Sequence, residues 1–372
     1  MMAPIHYHVG QFPPDGRIDW PRLIPLIGPA AAAIARYDGM LAAIPDPNVL
    51  LAPLTTREAV LSSRIEGTQA TIGEVLEFEA GQMPDSPTRH DDIYEILNYR
   101  AAIREAEKML VQLPLSQRVI RKAHSILLSG VRGAGKSPGE YRKIPNWIGP
   151  PGCSIKQAKF VPIEANQLPS AISAWENYIH RDSPDRLIQL AVLHAEFEAL
   201  HPFLDGNGRL GRMMVPLFLW QHNLIRAPMF YISAYFEARR NEYYESLLAV
   251  SRDDNWTGWC EFFLEAVKTQ AEENLVKTQG IIDLYSDMKT RMADLTRSRY
   301  AIHALDWIFE HPIFKSTDFI ATAGIPTQTA KRILRILLDG EILKNLIKNQ
   351  GRRARVLSFP QLLNIAEGDE VF

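Results

Sequence analysis

Apolar residues recur at helical spacing along most of this chain, and the places where that spacing fails mark its turns. After an irregular start, GPAAAAIARYDGMLAAI predicts one helix. PLTTREAVLSSRIEG predicts a second, opening near Pro53 and stopped by Gly67. In HDDIYEILNYRAAIREAEKML, Ile93, Ile96, Leu97 and Ile103 share a face, and PLSQRVIRKAHSILLSG continues the helical pattern. From Gly130 to Pro162 the text turns to Gly, Pro and aromatic residues, and the short runs NWIG and AKFVP suit a β-hairpin. Long helices are predicted again over 165–180, 185–200, 209–222 and 240–280.

The tail has a different texture. YAIHALDWIFE, STDFIATAG and TQTAKRILRILLDG read as three helices, and EILKNLIK, the turn NQGRR and ARVLSF as two strands. Helix, helix, helix, hairpin is the order of a winged helix, with a boundary near 285–298. Residues 299–358 hold ten Lys/Arg against five Asp/Glu. Lys331, Arg332 and Arg335 fall on the expected recognition helix, and Arg352, Arg353 and Arg355 on the expected wing. That leaves DNA as one expected partner of this domain and protein contact as the other. The fold class predicted is mostly α, with one β-hairpin and a small C-terminal winged-helix-like domain.

Composition narrows the setting. The chain has 372 residues, 46% hydrophobic and 23% charged, enough for two or three cored domains. A net charge of −2 argues against a chain-wide nucleic-acid or membrane surface. Cys153 and Cys260 are the only cysteines, so a disulfide framework is not expected and a reducing, cytoplasmic location fits best. The N-terminal text lacks an apolar signal region, and no apolar run approaches the roughly 18 residues of a membrane span.

The chemistry concentrates in HAEFEALHPFLDGNGRLGRMM, residues 194–214. One helix runs up to His201, with Pro202 helping to end it, and another starts at RLGRMMVPLFLWQ. Gly206, Asn207 and Gly208 are expected just before that second helix, in a loop that its glycines keep open. There backbone N–H groups can converge on an anion and the helix dipole adds attraction. Arg209 and Arg212, three apart, add two guanidinium forks, which makes a polyphosphate site. Asp205 is the hard oxygen ligand that Mg²⁺ wants beside phosphate, and His201 is placed to take a proton from an attacking hydroxyl. His194 is expected to be structural. Glu198 and His201 form an E-x-x-H pair without the second such pair that a di-iron site needs.

HPFLDGNGRLGR resembles the signature of the Fic family, H-P-F-x-[D/E]-G-N-G-R-x-x-R, at every fixed position. The resemblance extends over about residues 50–275. PGEYR with NWIG and AKFVP looks like the family's flap, which clamps the target's acceptor segment, and FYISAYFEARRNEYYESLLAVS looks like the helix after its active site. The resemblance implies an adenylyltransferase that moves AMP from ATP to a Ser, Thr or Tyr hydroxyl of a protein. It makes His201 the general base and Asp205 the Mg²⁺ ligand. Gly206, Asn207 and Gly208 would hold the α- and β-phosphates, and Arg209 and Arg212 the β- and γ-phosphates. Leu210 and Gly211 complete the ATP-binding run, and Tyr243 would pack near the adenine. Doc-type relatives, which transfer phosphate, carry a bulky basic residue where this chain has Gly208; the glycine favours AMP transfer.

SSRIEG resembles the inhibitory [S/T]-x-x-x-E-[G/N] helix of many Fic proteins, with Ser62 and Glu66 in its fixed positions. Glu66 is then expected at Arg212, in the ATP site. The implied organisation is residues 1–110 as an N-terminal region with the inhibitory helix at about 53–67, 111–285 as the catalytic core, and 286–372 as the winged-helix-like domain. Two other readings stand beside transfer: a DNA-binding regulator whose core only senses nucleotide, and an enzyme that removes AMP. A homodimer is left open. GVRGAGKS, residues 130–137, matches the Walker A pattern. It is read as a loop, because helical text precedes it and Pro138 and Gly139 follow at once.

Overall fold

Asp185 caps the helix that organises the site. Its carboxylate accepts the backbone N–H groups of Leu187 and Ile188, both at 2.9 Å, satisfying two donors that a helix start leaves open. The computed structural model describes residues 3–44, 46–131, 133–346 and 354–372. Its helices in chain order are α1 (Trp20–Leu41), α2 (Pro47–Leu50), α3 (Ala52–Ile65), α4 (Ile72–Glu79), α5 (Pro87–Leu110), α6 (Gln117–Leu127), α7 (Leu168–His180) and α8 (Arg186–Leu200). They continue with α9 (Asn207–Gln221), α10 (Ser233–Ala238), α11 (Arg240–Asp253), α12 (Trp256–Thr296), α13 (Ala301–Glu310), α14 (Ser316–Thr322), α15 (Thr327–Asp339) and α16 (Pro360–Glu367). The strands are β1 (Ile5–His6), β2 (Phe160–Val161), β3 (Ile313–Lys315), β4 (Lys344–Asn345) and β5 (Val356–Ser358). The protein is mostly α, as expected.

Contacts group the chain into two compact units: Met1–Asp38, Leu61–Gly67 and Leu97–Glu272 form one, and Gly39–Val60, Thr68–Ile96 and Glu273–Phe372 the other. In the first unit, α8 is buried along almost its whole length and packs on α7, α9 and α11. A helix apolar around its circumference belongs at the centre of a bundle. The indoles of Trp175 and Trp259 donate to α8 carbonyls, to Leu193 at 3.0 Å and Ala191 at 2.7 Å, so both bury large rings without stranding a donor.

Several elements depart from the sequence reading. The first helix begins at Trp20 rather than near Gly28 and runs through Pro25 and Pro29; each proline forfeits one helical hydrogen bond without ending it. The predicted 240–280 helix is broken at Asp254, in the left-handed region, and α12 then continues to Thr296. The flap is reduced to one antiparallel bridge, Ile148 with Phe160. The other edge of β2 pairs in parallel with β1, a segment read as irregular, because a strand of two residues has no period to detect. Tyr7 and His8 fasten that segment to α8, donating to or sharing a proton with the Glu196 carboxylate at 2.7 and 2.8 Å. Residues 133–140 form turns, with α6 before them and no helix after, so the Walker-like text lacks the strand–loop–helix context of a phosphate loop.

In the second unit the order is α13, β3, α14, α15, β4, β5, and the three strands form one antiparallel sheet in the order β3-β5-β4. The three expected helices are present, and the two expected strands pair antiparallel as β4 and β5; the expected turn at 349–353 lies outside the described residues, and β3, between α13 and α14, was not foreseen. Phe309, Phe319, Leu357 and Phe359 form its core. Arg352 and Arg353 lie outside the described residues. Cys153 and Cys260 are free, and no described helix is long and apolar enough to cross a membrane.

Candidate active site

The turn after α8 is held from several sides. His201 lies in the left-handed region, φ 44° and ψ 61°, a conformation that costs a non-glycine residue about 1–2 kcal/mol. Arg142 fixes it there: its Nε donates to the His201 carbonyl at 2.9 Å and its backbone N–H to Pro202 at 2.9 Å. The same guanidinium reaches the carbonyls of Ile163 and Leu200. Burial lowers the Arg142 pKa to about 10, which leaves it charged at neutral pH. His124 braces the next residues. It accepts the Gly139 N–H at Nδ1, 2.7 Å, so its Nε2 donates to the Asp205 carbonyl at 3.0 Å, and its ring stacks on Phe203 at 3.8 Å. Burial pushes its pKa down to about 4, in keeping with that neutral tautomer. Sequence reading missed both residues as parts of the site. A lone arginine in glycine-rich text and a histidine on a helix carry no pattern that announces such contacts.

The anion nest is tighter than the sequence implied. The helix starts at Asn207, two residues before the expected Arg209, so Gly208 and Gly211 lie within α9 and not in an open loop. Only Gly206 takes a positive φ there, 76°, as the N-cap, and no side chain caps the first amides of α9. The Asn207 side chain is used inside the loop, exchanging two hydrogen bonds of 2.9 Å with the Phe203 backbone. That amide clip explains an asparagine at this place: it supplies donor and acceptor at once. Asp205 accepts the Gly206 N–H at 2.7 Å and lies 3.6 Å from the Arg209 guanidinium, with its side chain 42% exposed. Leu210 is a core residue. The Gly211 carbonyl accepts from His194 Nδ1 at 3.1 Å, which leaves Nε2 to accept the Tyr243 hydroxyl at 2.9 Å. His194 is therefore structural. Tyr243 is fully buried and stacks on Phe236 at 4.4 Å.

Ser62 and Glu66 meet Arg212. The guanidinium is wholly buried; Nε donates to Ser62 Oγ at 3.0 Å, and Nη2 to the Ser62 carbonyl at 2.8 Å and to Glu66 Oε1 at 2.6 Å. Glu66 stands one residue beyond the end of α3, with Gly67 at φ 105° completing the turn. Burial pushes the Glu66 carboxyl up, but Arg212, with Arg209 and His201, outweighs it and holds the group below its ordinary value. The Glu66 carboxylate also lies directly over Gly208: a Cβ there would come within 2.2 Å of Oε1. The room that the missing side chain leaves is taken by the Glu66 carboxylate.

A cleft of about 700 Å³ opens beside these groups, lined by His201, Gly208, Arg212 and Glu66, by Tyr243 and Tyr244 of α11, and by Ile148 and Phe160 of the flap. Burial lowers the His201 pKa to about 4, against the opposing pull of Glu66, so its imidazole is unprotonated at neutral pH and able to accept a proton. Residues 24–108 match the Fic/DOC family N-terminal region, and residues 114–219 match the Fic/DOC family. The chain belongs to the Fic/DOC family. A probable protein adenylyltransferase of Aquifex aeolicus is 27% identical to it over 192 residues, 50% of this chain and 55% of that protein. The protein adenylyltransferase Fic of Drosophila ananassae is 26% identical over 159 residues, 42% of this chain and 30% of the fly protein. The chain thus spans about half or less of the length of these relatives. A crystal structure of a Fic family protein from Desulfovibrio desulfuricans shares the fold with a TM-score of 0.58, 18% identity, and coverage of 91% of this chain and 96% of that one.

The Fic/DOC cleft also holds a buried acid, the glutamate of the E-x-x-H pair. Glu198, one turn before His201, has a buried Oε1 with no hydrogen-bond partner among the described residues. Burial raises its pKa from 4.5 to about 8, with Arg212 opposing and Glu66 adding to the rise. An unfolded chain gives up this proton near 4.5, whereas the folded chain keeps it to about 8. Folding therefore takes up a proton in that window, and stability falls as pH rises through it, by up to about 1.4 kcal/mol per unit. Glu198→Gln is expected to melt higher than wild type above neutral pH, with the difference shrinking toward pH 5. A difference in melting temperature that does not change with pH would contradict this.

Proposed function

We propose that this chain is a protein adenylyltransferase: it transfers AMP from ATP to a Ser, Thr or Tyr hydroxyl of a target protein, itself included. One observation carries the reading. His201 lines the same cleft as buried Arg212 and Gly208, at the N-terminus of α9, and burial keeps its imidazole unprotonated at neutral pH. The names of the two relatives above point the same way. In the reaction, the acceptor hydroxyl oxygen forms a bond to the α-phosphorus while the bond from that phosphorus to the bridging oxygen breaks. His201 takes the hydroxyl proton, and pyrophosphate leaves. The amides opening α9 would cradle the α- and β-phosphates, and Arg209 and Arg212 would neutralise the leaving end. Tyr243 would contribute to the wall beside the adenine through its packed ring.

Asp205 fits a Mg²⁺ ion held mainly by phosphate and water: it is a hard oxygen donor, open to solvent, and no cluster of three or more candidate ligands competes with it among the described residues. Such an ion would offset charge on the leaving pyrophosphate. The two free cysteines fit a reducing, cytosolic setting, and the division into 1–110, 111–285 and 286–372 remains our assignment. The test uses the Glu66→Gly variant with ATP labelled at either the α- or the γ-phosphate. Label is expected on protein from the α position only; label from the γ position would make the chain a phosphotransferase, and label from neither would remove the proposal.

A further inference from the structure

We propose that α15 and the start of β5 form a face that binds duplex DNA through its phosphates. The helix pair carries the geometry. α14 and α15 are separated by residues 323–326, Ala-Gly-Ile-Pro, with Gly324 at φ 66°. Two helices joined by a four-residue turn that contains glycine form a helix-turn-helix, whose second helix fits the major groove. On α15 the inner face is Ala330, Ile333, Leu334 and Leu337, all buried. Its outer face exposes Lys331, Arg332 and Arg335, and the helix holds no acid before its last residue, Asp339.

A second observation points to a phosphate. Lys331 and Arg335, one turn apart, and Arg355 beside β5 line a recess of about 240 Å³ together with Ser316 and Leu334. Asp339 also lines it, so its three cations exceed its one carboxylate by two. Elsewhere on this protein exposed arginines are commonly tied to acids, as Arg22 to Glu261 and Arg252 to Glu245. Among the described residues, no ion pair or side-chain hydrogen bond engages Lys331, Arg332, Arg335 or Arg355. A protein with a net charge of −2 thus keeps an unneutralised cationic strip on one helix. A polyanion of fixed spacing fits it, and a groove-sized rod fits the helix that bears it.

The experiment measures binding of the full chain to a fluorescent random-sequence duplex of about 30 base pairs, enough for one helix-turn-helix footprint, across about 50–200 mM salt. Three phosphate contacts predict a log–log slope of affinity against salt near about −2.7. Replacing Lys331 and Arg335 together by Gln, a good helix former, should reduce the slope by about 1.8, and Arg355→Gln, which leaves α15 intact, by about 0.9. Lys289→Gln, on α12, should leave it unchanged. No binding at the lowest salt overturns the proposal. So does an unaltered slope in both variants, an equal loss in Lys289→Gln, or equal affinity for a single strand of RNA.

Discussion

His201→Ala in a Glu66→Gly background is expected to lose α-phosphate transfer by about 10²–10⁴, the usual worth of a general base. The structure gives the reason and a second readout. The imidazole is already unprotonated at neutral pH, because burial holds its pKa near 4. Glu66 pulls that value up, so loss of its charge removes an upward pull on the ring. Transfer by Glu66→Gly should therefore stay near its neutral rate down to about pH 5, without the loss near pH 6.5 that an ordinary histidine would impose. Retained transfer in the double variant would show that another group takes the proton. An acid limb near 6.5 would show that the ring is solvated when substrate is bound.

Glu66→Gly alone is expected to modify itself or a target faster than wild type by about 10²-fold, the cost of a small misplacement of reacting groups. In the wild type the carboxylate holds Arg212 at 2.6 Å and fills the space above Gly208. On the proposed function, ATP would then bind with its phosphates displaced from the arginine and from in-line geometry. Arg212→Ala added to this background should lose the gain, since the freed cation is what the phosphates exploit. The variant should also melt lower than wild type. Arg212 is wholly buried, and removal of one partner strands its charge. ATP should restore the difference by binding only the folded state. A variant no faster than wild type would end the idea of inhibition, whatever its melting point.

The twelve-residue signature from His201 to Arg212 was legible because its chemistry is local: base, nest and guanidinium groups follow one another along the chain. Ser62 and Glu66 were legible as text, and their pairing with Arg212, across 150 and 146 positions, was reached through resemblance. What stayed hidden was the scaffolding. Arg142 and His124 act through burial and through backbone carbonyls, and neither leaves a period in the sequence; Glu198 was visible as text, but not its burial or its raised pKa. The long helices were found because amphipathic spacing repeats over several turns. β1, with two residues, and the start of α9 were missed because nothing repeats, and because glycines that read as a loop are tolerated once tertiary packing holds a helix.

The strained torsion at His201 sets the terms on which this fold could lose its chemistry. The chain bends there through a left-handed residue that glycine would adopt freely, and Arg142 grips the backbone of the turn, not the imidazole. The ring proposed as the general base is thus a tenant of a corner whose backbone is held by other groups. A lineage released from selection for transfer could replace it with little harm to folding, and would leave behind a silent protein that still presents the nest, the cleft and the cationic helix.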